Sequence, residues 1–210
     1  MVIKKECLSL LLAAVLPLLA LSCSPRSADG PSSVSFDEVL ATRRSIRNFD
    51  PSKTISRDEV LKIVEAAQDA PSWTNSQSSR YYVALSEEKL AAVRELVGER
   101  NKQNVSGAPV LLVSTFVKGE SGFFRGRQSN ELGDMWGAFD NGLNIAYFIL
   151  KARSMGYDTL IMGGRDHEGL RALFNIPESE TVMAVIALGY RAADPVKPAR
   201  KDVREIIKFF

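Results

Sequence analysis

Three short stretches of this chain concentrate side chains able to do chemistry. The first is Arg43-Arg44-Ser45-Ile46-Arg47-Asn48-Phe49, with three guanidinium groups and a hydroxyl packed between positions 43 and 47. A guanidinium is a planar fork that grips phosphate through paired hydrogen bonds, so this spacing suits a bound phosphate. The same residues also suit the negative end of a helix, which Arg43 and Arg44 would complement. The second stretch is Ala70-Pro71-Ser72-Trp73-Thr74-Asn75-Ser76-Gln77. Asn75 and Gln77 each offer a donor and an acceptor to the edge of a planar heterocycle, and the same composition also builds a plain polar turn. The third is Arg200-Lys201 beside Pro198, either a second cationic grip or a basic surface segment. Gly163-Gly164 alone reads as a turn.

What is missing narrows the chemistry. The one histidine, His167, lies between Asp166 and Glu168 in a helix N-terminal turn, where it is solvated. Cys-His catalysis and a histidine-rich zinc site are therefore excluded, and no metal is expected. There is no Gly-x-Ser-x-Gly elbow, no Walker phosphate loop and no dinucleotide glycine fingerprint. The formal net charge is +2, of which Lys4, Lys5 and Glu6 contribute +1, leaving 2 − 1 = +1 on the rest of the chain. That is too little for a nucleic-acid footprint, so no nucleic-acid partner is expected.

The elements that must position these residues follow a leader. Lys4 and Lys5 precede an apolar run from Leu8 to Leu21, with small residues Ala20 and Ser22 before Cys23. That order is a secretory signal, and the run is too short for a membrane span. The segment Leu19-Ala20-Leu21-Ser22-Cys23 resembles a bacterial lipoprotein signal, in which the cysteine is lipidated and becomes the mature N-terminus; ordinary cleavage at the same bond is the alternative. With Cys7 removed, Cys23 is the only cysteine left, so no internal disulfide is available. Residues 24–33 have linker composition. The expected organisation is a signal peptide over 1–22, a lipidated cysteine and flexible tether over 23–34, and one domain over 35–210. This places the protein on a bacterial envelope, exported and held to the membrane through its N-terminal lipid alone.

With 45% hydrophobic and 25% charged residues, the domain can bury a core without disulfides or structural metal. Ser35 opens a short helix over 36–42. Ser56 with Glu59 is a capping box, and the helix behind it sets Val60, Ile63, Val64 and Ala67 on one face. Arg80 to Leu85 reads as a strand, and Ser86 opens a helix with Leu90, Val93 and Val97 inward. Val110 to Phe116 has buried-strand character, and Glu120 to Arg127 reads as a loop. A long helix runs from about Leu132 to Met155, closed by Gly156. Its stripe of Phe139, Leu143, Ala146 and Leu150, with Trp136, Tyr147 and Ile149 beside it, demands burial on several sides, in a core or at an oligomer interface. Thr159 to Met162 and Val182 to Leu188 are strands, separated by a helix around Leu170, Leu173 and Phe174. The order is α+β, with helices around a small sheet.

In this order the segments resemble the FMN-binding nitroreductases, the shorter members especially. Arg-Arg-Ser-Ile-Arg-x-Phe resembles the family's opening motif, and Ala-Pro-Ser-x-x-Asn-Ser-Gln its flavin-ring loop. Residues 101–109 are similar to the segment entering the central strand. The long helix, then Leu-Ile-Met-Gly-Gly-Arg-Asp and Val-Ile-Ala-Leu-Gly-Tyr, are similar as well, so the likeness covers nearly all of the domain. It implies a three-layer fold, a small, mostly antiparallel sheet flanked by helices, in a homodimer with FMN at the interface.

The resemblance also implies roles. Arg43, Arg44, Ser45 and Arg47 would hold the FMN phosphate, ribityl chain and pyrimidine edge, and Arg200 would close on the phosphate. Pro71, Ser72, Trp73 and Asn75 would line the ring from the partner subunit. Asn101 and Gln103 would reach the ribityl or ring side, and Met162, Gly163 and Gly164 would bring backbone amides to the flavin. No side chain is expected to be catalytic, because flavin carries the chemistry. The implied activity is ping-pong transfer from NAD(P)H or another reduced donor to nitroaromatics, quinones and similar conjugated acceptors. Ser78-Ser79 stand where a proline and an aromatic are common, and Met162 where larger members carry an acid; both departures bear on substrate identity. Export leaves rival expectations: an electron-relay flavin lipoprotein without NAD(P)H turnover, a dehalogenase-like flavoenzyme, or a surface binding protein without flavin.

Overall fold

The structure, a computed structural model, describes residues 34–210. The leader, Cys23 and the tether up to residue 33 lie outside the described residues. Helix starts follow the side-chain oxygens that satisfy their free N–H groups. Helix α1 (Phe36–Thr42) begins at Ser35, whose hydroxyl accepts from the Glu38 N–H. Helix α2 (Arg57–Gln68) has the complete Ser56/Glu59 capping box. After strand β1 (Ser79–Ala84), Ser86 caps helix α3 (Glu87–Glu95). Helix α4 (Glu99–Asn104), strand β2 (Val110–Val117) and the two short strands β3 (Phe123–Phe124) and β4 (Arg127–Gln128) follow. Helix α5 (Met135–Ser154) ends before Gly156, whose φ of 86° is the left-handed turn a glycine allows. Strand β5 (Asp158–Met162), helix α6 (His167–Phe174) and strand β6 (Glu180–Gly189) complete the frame.

The sheet order is β1-β2-β6-β5, antiparallel throughout. Its central strands alternate between two cores, as a period of two requires. Leu111 and Val113 of β2 pack with Leu90 and Val93 of α3 and Leu170 of α6. Val110 and Leu112 pack on the other face with Ile63 of α2 and Phe148 of α5. The result is the expected α+β arrangement of three layers.

Three expectations need correction, and the path of one further segment becomes visible. Residues 120–127 are not only loop: they include most of the β3–β4 hairpin, whose turn at Arg125 and Gly126 has φ of 51° and 74°. The segment from Asn101 begins as helix α4 before it enters β2. Helix α5 starts three residues after Leu132, because Gly133 sits at φ 49°. Its inward face is also different. Asn141, Ile145, Phe148 and Ala152 are buried, whereas Phe139 is 57% exposed and Leu143, Ala146 and Leu150 are half-buried. Polar side chains can occupy the inner face because partners wait there. Asn141 exchanges hydrogen bonds with Ser114 and donates to Ser79 Oγ and the Thr115 carbonyl. Asp140 accepts from the Trp73 N–H. Of the displaced apolar stripe, Phe139 faces outward and the rest is partly covered.

Candidate functional site

The arginine segment lies along the outer edge of β5. Ser45 bridges Thr159 in parallel, and the Ile46 N–H donates to the Thr159 carbonyl at 3.0 Å. Ile46 and Phe49 are buried, which turns Ser45 and Arg47 to the surface, while Arg43 and Arg44 are half-buried. Arg44 Nη1 folds back onto the Arg43 carbonyl at 2.7 Å. The segment is pinned at Thr42. Arg191 donates to the Thr42 carbonyl and Arg153 to its hydroxyl, and both arginines also reach the buried Asp158.

Arg43 lies among like charges. Burial lowers its pKa, and so do the nearby guanidinium groups of Arg200 and Arg44. Arg200, late in the chain, is therefore brought to the start of the domain. Among the described residues no carboxylate stands at ion-pair distance from Arg43, Arg44, Arg47 or Arg200. Converging cations without a counter-ion favour an anionic ligand.

Downstream on the same edge, β5 runs into Gly163 and Gly164. Met162 is buried in the core, so only its backbone faces this place, and both glycines are exposed. A Cβ on Gly163 would meet nothing within 4 Å, leaving the backbone open to close approach. Arg165 holds the turn by donating to the Gly163 carbonyl at 2.8 Å and to the Val182 carbonyl. Asn101 reaches across from α4, its Nδ2 3.5 Å from the Gly164 carbonyl. Gln103 is exposed, about 200° further round the helix than Asn101.

The loop 70–77 sits at the other edge, before β1. Thr74, Asn75 and Gln77 have φ of 45°, 59° and 49°, left-handed positions interrupted by Ser76 and costly for β-branched Thr74. Pro71 and Asn75 are exposed, and Ser72 accepts from the Gln77 N–H at 3.0 Å. Trp73 is held by the Asp140 carboxylate and by the Trp136 ring, 4.8 Å away between centroids. The buried Trp73 indole N–H finds no acceptor among the described residues. Ala70, Pro71, Ser72, Ser76, Asp140 and Asn144 are among the residues lining a polar cleft of about 570 Å³ here.

Loop and glycine turn lie at one end of the sheet but on opposite edges, about 14 Å apart at three strand spacings. A single chain thus assembles two half-sites. One offers converging arginines, open glycine backbone and an amide; the other offers a polar loop with an orphaned indole donor. The first half fits the phosphate and polar chain of a flavin mononucleotide, because its unpaired cations and uncovered glycine need such a ligand. Sequence reasoning missed Asp158, Arg191 and Asp140, which orient the two segments. Asp140 and Asn141 did carry a signal, as adjacent polar residues inside an otherwise apolar helix.

Residues 40–190 match the Nitroreductase family. The oxygen-insensitive NAD(P)H nitroreductase of Salmonella typhimurium is 29% identical over 192 residues, covering 74% of this chain and 88% of the relative. The CLA biosynthesis enone reductase of Lactiplantibacillus plantarum is 25% identical over 202 residues, covering 80% and 90%. A structure from Exiguobacterium sibiricum 255-15, solved in complex with FMN, superposes with a TM-score of 0.72 at 24% identity, covering 84% of this chain and 97% of that one. The order of motifs, the antiparallel sheet between two helical layers and a match across most of the domain have one reading: the chain belongs to the nitroreductase family.

Proposed function

We propose that this chain is an FMN-dependent oxidoreductase, passing reducing equivalents from NAD(P)H to nitroaromatic, quinone or similar conjugated acceptors. The observation that carries the reading is the convergence of Arg43, Arg44 and Arg200 without a carboxylate, on the edge that ends in Gly163 and Gly164. Family membership and the NAD(P)H relative support the donor.

Bound FMN supplies reversible hydride acceptance, which no side chain of this protein can supply. Arg43, Arg44 and Arg200 hold its phosphate by charge-assisted bonds. Ser45 and Asn101 offer a hydroxyl and an amide to the polar chain, and Arg47 holds positive charge further along the segment. Gly163 and Gly164 admit the ligand to the backbone without a Cβ in the way. Pro71, Ser72, Trp73 and Asn75 close the ring side from the partner subunit, since within one chain they stand on the far edge of the sheet. Donor and acceptor use the same opening in turn, which gives ping-pong kinetics. For a nitro acceptor the balance is one NAD(P)H and one solvent proton in, and nitroso product, NAD(P)+ and one water out.

The chain works as a homodimer. Phe139 on α5 and Ile206, Phe209 and Phe210 near the end of the chain are strongly exposed apolar side chains, which supports an interface with a second copy. Cys23 anchors the enzyme to a bacterial envelope membrane, a reading supported by the leader in the sequence alone. Fatty-acid labelling that persists unchanged in Cys23→Ala would reject the anchor.

The deciding experiment purifies leader-free protein and identifies heat-released ligand by mass spectrometry, followed by turnover with NADH and NADPH. FMN and turnover are expected. A colourless protein that cannot take up FMN rejects the reading, and a flavin-loaded protein without turnover makes it a relay instead.

A further inference from the structure

The turn after β5 is held by a side chain where the sheet would otherwise continue. Pairing of β5 with β6 stops at Met162 and Val185. Beyond that point the Arg165 guanidinium takes over from the ladder. Its Nη1 donates to the Gly163 carbonyl at 2.8 Å, and its Nη2 donates to the carbonyl of Val182 on β6. The Arg165 backbone is fixed separately: it bridges Val97, and the next N–H, that of Asp166, donates to the Leu96 carbonyl at 2.7 Å. One residue thus anchors the turn twice, by its backbone towards α3 and by its side chain towards β6. Among the described residues no carboxylate stands at ion-pair distance from Arg165, so its fork serves two backbone carbonyls.

This grip fixes a direction. In a planar trans peptide the N–H lies opposite the preceding carbonyl. With the Gly163 carbonyl drawn to the guanidinium, the Gly164 N–H points away from it and donates to no acceptor among the described residues. The fold itself calls for glycine at neither position. Neither has a left-handed φ, and a Cβ on Gly163 would meet nothing within 4 Å. A Cβ on Gly164 would come no closer than 3.5 Å to Asn101 Nδ2, an ordinary contact. Bare backbone with a free, directed N–H is therefore turned to a ligand rather than to packing.

We propose that Arg165 is a positioning residue for the flavin: by drawing the Gly163 carbonyl inward it aims the Gly164 N–H at an acceptor on the flavin ring, and so raises the flavin's reduction potential. Ring acceptors gain electron density on reduction, so a fixed donor holds the reduced form more tightly than the oxidised one. This deepens the flavin oxidoreductase reading above and rests on it.

The test measures the midpoint potential of bound FMN in wild type, Arg165→Met and Arg165→Lys. It also follows the Gly164 amide by NMR in protein carrying isotope-labelled glycine, the signal being assigned by its loss in Gly164→Ala. Arg165→Met should reduce the preference for reduced over oxidised FMN about tenfold, the size of one hydrogen bond to a charged group. For a two-electron couple that is a fall of about 30 mV. In wild type the Gly164 amide proton should move downfield when FMN binds, and in Arg165→Met it should move much less. Arg165→Lys keeps the charge and one donor, so it should recover part of both effects, and it decides the matter if Arg165→Met folds too poorly to load. Gly164→Ala should leave the thermal midpoint of apo-protein in place and weaken FMN binding. A purely structural Arg165 would lower the thermal midpoint and leave the potential alone. Unchanged potential and amide shift in the arginine variants, or wild-type FMN affinity in Gly164→Ala, overturn the assignment and leave the flavin reading intact. Wild type that takes up no FMN overturns both.

Discussion

Arg191 grips Asp158 through two parallel hydrogen bonds, Nε to Oδ2 at 2.7 Å and Nη2 to Oδ1 at 2.6 Å, and the same Nη2 also donates to the Thr42 carbonyl at 3.1 Å. Asp158 begins β5, Arg191 follows β6, and Thr42 immediately precedes the arginine segment. The pairing with Asp158, and with Asp194, raises the Arg191 pKa. One buried carboxylate thereby fixes where Arg43 leaves its helix.

Arg191→Ala would strand Asp158, whose side chain is 1% exposed, with Arg153 at 3.5 Å as its remaining ion-pair partner among the described residues. Leaving a buried charge without its main partner costs about 3–5 kcal/mol. Urea unfolding should show that loss. FMN titration of the folded fraction should show weaker binding although Arg191 itself is not among the phosphate-site arginines. Unchanged FMN affinity would mean that Thr42 does not position Arg43.

Arg43→Ala and Arg200→Ala should each weaken FMN binding by about 1.5–3 kcal/mol, roughly one to two orders of magnitude. Riboflavin lacks the phosphate, so its affinity should barely change. The double variant should lose less than the sum, because both groups act on one anion. Fluorescence titration of apo-protein with the two ligands reads all three outcomes, and equal losses for both would assign these arginines to the fold.

Phe139→Asp places a charge on the outward stripe of α5, at a residue that is 57% exposed in the single chain. A monomer would tolerate it. If the stripe is the dimer surface, light scattering should show dissociation, and flavin occupancy should fall in proportion because the ring loop leaves with the partner. A fully loaded monomer would separate the two.

Glu59 gives a pH signature. Its carboxyl is held at about 2, first by the Tyr157 hydroxyl and then by the Ser56 N–H and hydroxyl, against an ordinary 4.5. A depressed carboxylate pKa contributes stability that is complete above about 4.5 and lost as pH falls through 2. Urea midpoints of wild type and Glu59→Gln should therefore differ most above pH 5 and converge towards pH 2. A gap independent of pH would mean that the shape of the cap, not its charge, matters.

Much of this architecture was legible in the residues themselves because its causes are local. Ser35, Ser56 and Ser86 cap the helices they precede, Gly156 ends α5, and the mostly apolar run of β2, with Val110 to Val113 unbroken, has the character of a buried strand. The arginine and ring-loop motifs were legible as chemistry for the same reason, since guanidinium and amide groups keep their preferences in any fold. Which face of α5 turns inward was not legible. Hydrophobic period favoured Phe139 and Leu143, but Asn141 and Asp140 found partners across the sheet and beside the loop, contacts spanning 26 to 67 residues. The meeting of Arg43 with Arg200, and the opposite edges assigned to the arginine segment and the ring loop, depend on strand order. Strand order is set by how the two cores pack, and no local stretch of sequence contains that information.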